Sequence, residues 1–144
     1  MKIKLCFFLL LFFSANTFSE TEETNRLAPI TKDLARCADV LLGNFENEKD
    51  SKAALKTFYS KMIENVTSMV ELEKNSGKTK RFLEIMPKQI LIGFILRSFV
   101  DIDQDYQTQK QSLYEQYDWD WKKVNRELWS KQGCNAIYGT INSK

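Results

Sequence analysis

Apolar residues recur along much of this chain at spacings of three and four, a rhythm that predicts helices. Leu34, Cys37, Ala38, Leu41 and Phe45 share one face of a first helix. Pro29 and Thr31 announce it: Thr31 suits its cap, and Asp33 suits the positive end of its dipole. Asn47 to Asp50 interrupts the pattern, and a second helix is expected from about Ser51. Its seam is Leu55, Tyr59, Met62, Val66 and Met69, and Asn75-Ser76-Gly77 supplies its stop.

The run from Ile90 to Leu96, extended to Phe99-Val100, is the most apolar after the leader. Arg97 breaks it, and it is too short to span a bilayer. Its β-branched content would also suit a buried strand, but no other segment offers a strand partner. Pro87 fits a first helical turn, so a central helix is expected, with Thr79 to Met86 kinked away before it. The same helix should continue past Val100, carrying Ile102, Tyr106, Leu113 and Tyr117 on one side. Asp118 or Asp120 can cap a last helix whose inner side is Trp121, Val124, Leu128 and Ile137. The predicted fold is all-α: a small antiparallel bundle of four to five helices.

The leader changes the picture. Lys2 and Lys4 precede the unbroken apolar run from Leu5 to Phe13, and Ser14 to Ser19 then turns polar. That order predicts a secretory signal peptide over residues 1–19, cut before Glu20 with Thr17 and Ser19 at the −3 and −1 positions. The apolar run covers roughly 14 Å of helix, about half a bilayer core, so an uncleaved anchor is the weaker reading. Residues 20–30 are polar, acidic and without a period, and are expected to be a flexible lead-in. A single helical domain over 31–140 and a polar tail over 141–144 complete the expected organisation.

Charge and cysteine count narrow the function classes. Of 21 Lys and Arg, Lys2 and Lys4 belong to the leader, and the remaining 19 balance 19 Asp and Glu. A neutral mature chain has no general pull toward nucleic acid or anionic lipid, and neither is expected as a partner. Cys6 leaves with the leader, so Cys37 and Cys134 remain as a pair. In an oxidising compartment they should join the first and last helices. Chain-entropy models give such a long loop roughly 4–5 kcal/mol of stabilisation.

The chain has no histidine, which removes Ser/His/Asp and Cys/His catalysis and His-containing zinc sites. Asp101-Ile102-Asp103-Gln104-Asp105 resembles the opening of an EF-hand calcium loop. Tyr106 then stands where that loop needs glycine, and Ser112 where it needs glutamate, so no metal site is assigned. Asp118 and Asp120 lie among aromatic residues, a pairing that could serve a glycosidase if it lined a cleft. Helix capping is the simpler account. Asn65-Val66-Thr67 fits the glycosylation acceptor pattern, although it falls within the second helix.

Aromatic density is the strongest remaining signal. Tyr106, Tyr114, Tyr117, Trp119, Trp121, Trp129 and Tyr138 fall in the last third of the chain. Trp121 and Tyr138 are expected in the core, whereas Trp119 and Trp129 project away from the Val124–Leu128 stripe. The candidate partner-binding set is therefore Tyr106, Tyr114, Tyr117, Trp119 and Trp129, with Asp101, Asp103 and Asp105 adding charge.

The expected function is a non-enzymatic protein-binding module of the cell envelope, needing no cofactor. It would inhibit, neutralise or exclude a partner by steric occlusion. The partner would be another envelope or foreign protein, and a homo-oligomer is compatible with the same surface. The periplasm is the expected compartment and the extracellular space the alternative, with no stable membrane insertion after cleavage. Two other classes compete: a small carboxylate-based cell-wall hydrolase, and a helical carrier holding an apolar ligand near Met62, Met69, Phe94 and Phe99.

Overall fold

A computed structural model describes residues 22–75, 87–101 and 103–143. Every regular element among them is a helix: α1 (Glu22–Asp39), α2 (Glu48–Asn75), α3 (Lys88–Asp101), α4 (Gln104–Gln116), α5 (Trp121–Lys131) and α6 (Cys134–Asn142). The signal peptide, the Gly77 stop and the turn expected over Thr79 to Met86 lie outside the described residues.

The first helix corrects the expected boundary. Residues 22–30 are not a flexible lead-in: they are already part of α1, which runs through Pro29. An interior proline costs a helix about 3 kcal/mol, so something must offset it. Leu27 is buried against Val66, Met69 and Val70 of α2 and Ile95 of α3, and Thr24 is buried as well. Burial of such a side chain supplies about 1.5–3 kcal/mol, and tertiary packing thus overrides the local stop signal.

Helices α1 and α2 run antiparallel. The start of α1 meets the end of α2 through Leu27, while Leu34, Val40 and Leu41 share the main core cluster with Ala54, Phe58 and Met62. At mid-length, the Asn65 amide donates to Thr31 Oγ1 at 3.1 Å, and Thr31 Oγ1 donates to the Leu27 carbonyl at 2.7 Å. On α2 the fully buried aromatic is Phe58, and its neighbour Tyr59 faces solvent, one position out of the expected seam. Met62 belongs to the main cluster and Met69 to the second, both packed with almost no exposure. The two methionines expected to line one ligand cavity are thus tightly packed members of separate clusters. The Phe94 side chain lies outside the description.

Two expected continuous helices are each divided. The one expected to cross residue 101 ends at Asp101, and α4 begins afresh at Gln104 with Asp103 as its N-cap, its carboxylate accepting from Tyr106 N–H. The last helix breaks at Gly133, whose φ of 65° closes α5, and Cys134 opens α6. Left-handed backbone of that kind suits glycine. The end of α6 also corrects the expected polar tail: the helix reaches Asn142, and Ile141 packs against the main core.

Cys37 and Cys134 form a disulfide that joins α1 to α6, with Cα atoms 5.5 Å apart. Both are fully buried. Around them Phe45, Phe58, Trp129 and Tyr138 form an edge-to-face and stacked set with centroids 5.6–6.0 Å apart. The chain is an all-α bundle whose first and last helices are covalently tied.

Candidate functional site

The residues expected to form one binding face separate into two regions. The first surrounds the start of α4. Asp103 is only 8% exposed, and its carboxylate takes Arg36 Nε at 2.7 Å, a second bond from Arg36 Nη2, and Lys32 Nζ at 3.2 Å. Burial alone would raise the Asp103 pKa. The bonds from Arg36, Tyr106 N–H and Lys32 outweigh it and hold the carboxyl below its ordinary value.

Tyr106, 1% exposed, donates its hydroxyl to Asp39 Oδ2 at 2.5 Å, and Lys110 Nζ lies 2.6 Å from the same oxygen. Burial, then the bond to Asp39, pushes the Tyr106 hydroxyl pKa far up. Arg36 also reaches Gln132 at 3.4 Å, and Gln132 reaches Gln109 at 3.3 Å. These bonds bridge α1, the α3–α4 break and the α5–α6 break. Tyr106 and Asp103 are therefore structural, not presented to a partner, and the expectation for both is corrected. Asp105 is exposed, and the Asp101 side chain lies outside the description.

Trp129 requires the same correction. It is 5% exposed, its indole N–H donates to Asn135 Oδ1 at 2.8 Å, and its ring edge meets Phe45 and Phe58. Tyr114 and Tyr117 are half-buried and pack against the main core.

The second region is the turn between α4 and α5, and there the exposed aromatics remain. Helix α4 closes on Tyr117, and Trp119 N–H donates back to the Tyr114 carbonyl at 2.8 Å. That six-to-one bond is a Schellman closure, in which the residue after the C-cap adopts left-handed backbone, usually as glycine. Here that residue is Asp118, with φ 49°, and Trp119 follows with φ 63°. Left-handed backbone in a bulky residue costs roughly 1–2 kcal/mol.

Part of that cost is returned locally, because the Trp119 ring stacks on Tyr114 with centroids 5.4 Å apart and 26° between planes. Trp119 nevertheless leaves 63% of its surface in solvent. Asp120 then caps α5, accepting from Lys122 and Lys123 N–H at 3.1 and 3.2 Å. The Lys123 backbone bond chiefly holds the Asp120 carboxyl below its ordinary range.

Trp121, expected in the core, is 45% exposed. Its ring lies beside Gly43, where a Cβ would come within 3.5 Å of Cζ3. Gly43 has a φ of 88° and belongs to the α1–α2 connection, which α5 holds in place. Asn125 Nδ2 donates to the Leu42 carbonyl at 2.9 Å, and Asn44 Nδ2 to the Asn125 carbonyl at 3.3 Å. Arg126 Nε donates to the Gly43 carbonyl, also at 3.3 Å. Leu42 is thereby fixed beside this region with 59% of its surface exposed. Leu42 and Trp121 flank the Gly43 turn with much of their surface exposed, and Trp119 is exposed two residues before Trp121 in the α4–α5 turn.

Sequence reasoning missed Leu42 and misassigned Trp121. Leu42 was detectable, because it falls one residue off the Leu34–Leu41 stripe. Trp121 was not, because it is in phase with Val124 and Leu128, and only the Gly43 turn decides which part of its ring is covered.

Elsewhere, an open groove of about 630 Å³ lies between α1, α2 and α6, with Ile30, Lys61 and Ile141 among its lining. Asn65 of the glycosylation pattern is 3% exposed and bonded to Thr31, so the folded chain does not offer it for modification. Among the described residues, no three His, Cys, Asp or Glu side chains gather as a metal site requires. No helix among them is long and apolar enough to cross a membrane. No protein-family model, curated protein or solved structure matches the chain.

Proposed function

We propose that this chain is an exported protein-binding module of the cell envelope that acts by steric occlusion, through the face formed by Leu42, Trp119 and Trp121. The observation that carries the reading is the turn before α5: two consecutive non-glycine residues in left-handed backbone present a tryptophan that is 63% exposed. The left-handed backbone closes α4 through the Trp119–Tyr114 and Asp120–Tyr117 bonds, and the Trp119 ring itself stacks on Tyr114 and otherwise faces water. Exposed tryptophan on a rigid mount is what protein interfaces use as an anchor. Export is supported by the leader pattern and by the buried disulfide.

The reading is preferred to a carboxylate-based hydrolase on one ground. Asp120 is occupied as a helix cap with its carboxyl held low, which suits neither a proton donor nor a partner of Asp118 across a substrate. It is preferred to a carrier because Met62 and Met69 are packed into separate clusters.

The test is affinity capture of the disulfide-bonded chain from its own cell envelope, with Trp119→Ala/Trp121→Ala as the matched control. One stoichiometric protein lost from the control supports the reading. Equal recovery with both forms would remove the face from consideration.

A further inference from the structure

We infer that one part of the bundle opens as a unit while the rest stays folded, whatever the α4–α5 turn binds. The unit is residues 22–30 of α1, residues 66–75 of α2 and the whole of α3, and the disulfide-tied remainder is its fixed base. The core is divided along the same line. Leu27, Val66, Met69, Val70 and Ile95 make one buried cluster. The larger cluster, which holds Cys37 and Cys134, draws on α1, α2, α4, α5 and α6. A polar level separates them: Thr31 is fully buried between Leu27 and Leu34, and Asn65, beside Val66, donates to it.

The described chain crosses this level in α1, in α2 and between α3 and α4. In α1 the crossing holds Pro29, which has no N–H for the carbonyl four residues back. Between α3 and α4 the helix stops at Asp101 and restarts at Gln104, and Arg36 and Lys32 clamp the Asp103 cap on the α4 side. In α2 the crossing falls at Asn65-Val66-Thr67, none of them a strong helix former. Of the three, only α2 passes through with its backbone ladder complete.

The two parts also differ in what holds them. The base has the disulfide, the ring set of Phe45, Phe58, Trp129 and Tyr138, and the Arg36–Asp103 bonds. Helix α3 docks through buried Ile95, with Ile92 and Phe99 half-buried beside it. It leaves Ile90 60% exposed, and Gln89, Gly93 and Arg97 also reach the surface. Local opening free energies run from near zero up to the global value, and parts with small buried clusters lie at the low end. Opening therefore uncovers Leu27, Val66, Met69 and Val70 while the base, with the Trp119 turn on it, keeps its shape.

The test is native-state hydrogen exchange of the disulfide-bonded chain, read by mass spectrometry in urea below the unfolding transition. Amides of residues 68–75 and 92–101 should exchange at one common rate, about tenfold or more above those of 54–62 and 124–131. That rate should rise with urea, because a unit that opens exposes surface. Ile95→Ala should speed exchange about thirtyfold or more in 68–75 as well as in α3, and leave 124–131 unchanged. Pro29→Ala restores the missing N–H and should slow the whole unit by about tenfold, so the second variant works without destabilising the protein. Far-UV circular dichroism without urea establishes that each variant folds.

One rate and one urea dependence shared by all these segments overturns the inference, because the molecule then opens only as a whole. Exchange in 68–75 that is graded toward Asn75 and indifferent to urea overturns it in favour of fraying at the end of α2. An effect of Ile95→Ala confined to α3 overturns the shared unit as well.

Discussion

Two clusters of aromatic and acidic residues, one at each end of α4, have similar compositions and opposite fates. At the start of α4, Asp103 and Tyr106 turn inward, and their polar atoms are taken by Arg36, Lys32 and Asp39. At its end, Asp118 and Trp119 turn outward on left-handed backbone, and Trp119 keeps most of its surface in water. Composition alone does not distinguish the two. What does is whether another element supplies countercharges: α1 delivers Arg36 and Lys32 to the first cluster, whereas among the described residues the ring contact of Trp119 is with Tyr114 of the adjoining helix. A buried carboxylate held by two cations is a structural device. An exposed indole on left-handed backbone is the feature on which the proposed binding role rests.

The largest expected effect falls on the first region through its covalent neighbour. Cys37→Ala/Cys134→Ala removes the tie between α1 and α6 and should lower unfolding stability by about 4 kcal/mol, measured by urea titration. If the second region is held mainly by Asn125, Asn44 and Gly43, the quenching of Trp119 and Trp121 fluorescence should survive below the transition. Loss of both together would mean that the regions are not independent.

Next is Asp103→Asn, which leaves Arg36 and Lys32 facing a neutral amide at a site with little solvent. A loss of about 3 kcal/mol is expected. Its pH signature has a fixed sign. The folded carboxyl titrates below its ordinary value of 3.8, so the folded state binds that proton less readily than the unfolded state. This stabilisation is full above the unfolded pKa and drains away as pH falls through the folded one. The native chain should lose stability below about pH 4, and Asp103→Asn should show a shallower loss over the same acid window. Identical slopes would remove Asp103 as the charged centre of the network.

The same comparison explains what the sequence made legible. Helical class and the Cys37–Cys134 tie were readable because periodicity and cysteine parity are local or countable properties. Thr31 reads as a cap in the sequence although it lies inside α1, since the burial of Leu27 that carries the helix past Pro29 depends on α2. The break before Asp103 was hidden for a related reason: an aspartate there reads equally well as helix surface until Arg36 is placed opposite it. Trp129 and Trp119 looked alike as off-stripe tryptophans. One meets Asn135, Phe45 and Phe58 from other segments, and the other stacks on Tyr114 of the helix just before it.

In the second region, Trp119→Gly separates stability from binding. Glycine adopts a φ of 63° without strain, and the gain of about 1 kcal/mol is set against a lost Tyr114 stack of similar size. Net stability should change by less than about 0.5 kcal/mol, while partner affinity should fall by about 2 kcal/mol, as loss of an anchor does. A large destabilisation with affinity intact would reassign Trp119 to the fold.

The smallest effect is the most diagnostic of strain. Asp118 occupies the left-handed position of the Schellman closure, where aspartate is tolerated better than most residues but worse than glycine. Its carboxylate makes no bond that the turn depends on, since the closing bonds run between backbone groups of Trp119 and Tyr114 and of Tyr117 and Leu113. Asp118→Gly should therefore raise stability by about 0.5–1 kcal/mol, read as a small upward shift in thermal midpoint. Asp118→Ala should lower stability instead, because alanine retains the Cβ clash and loses the aspartate's tolerance of that region. Gain with glycine and loss with alanine would locate the strain in the backbone of the turn, where Trp119 is held out from the bundle. Equal effects from both would place it in the Asp118 side chain and dissolve the contrast between the two ends of α4.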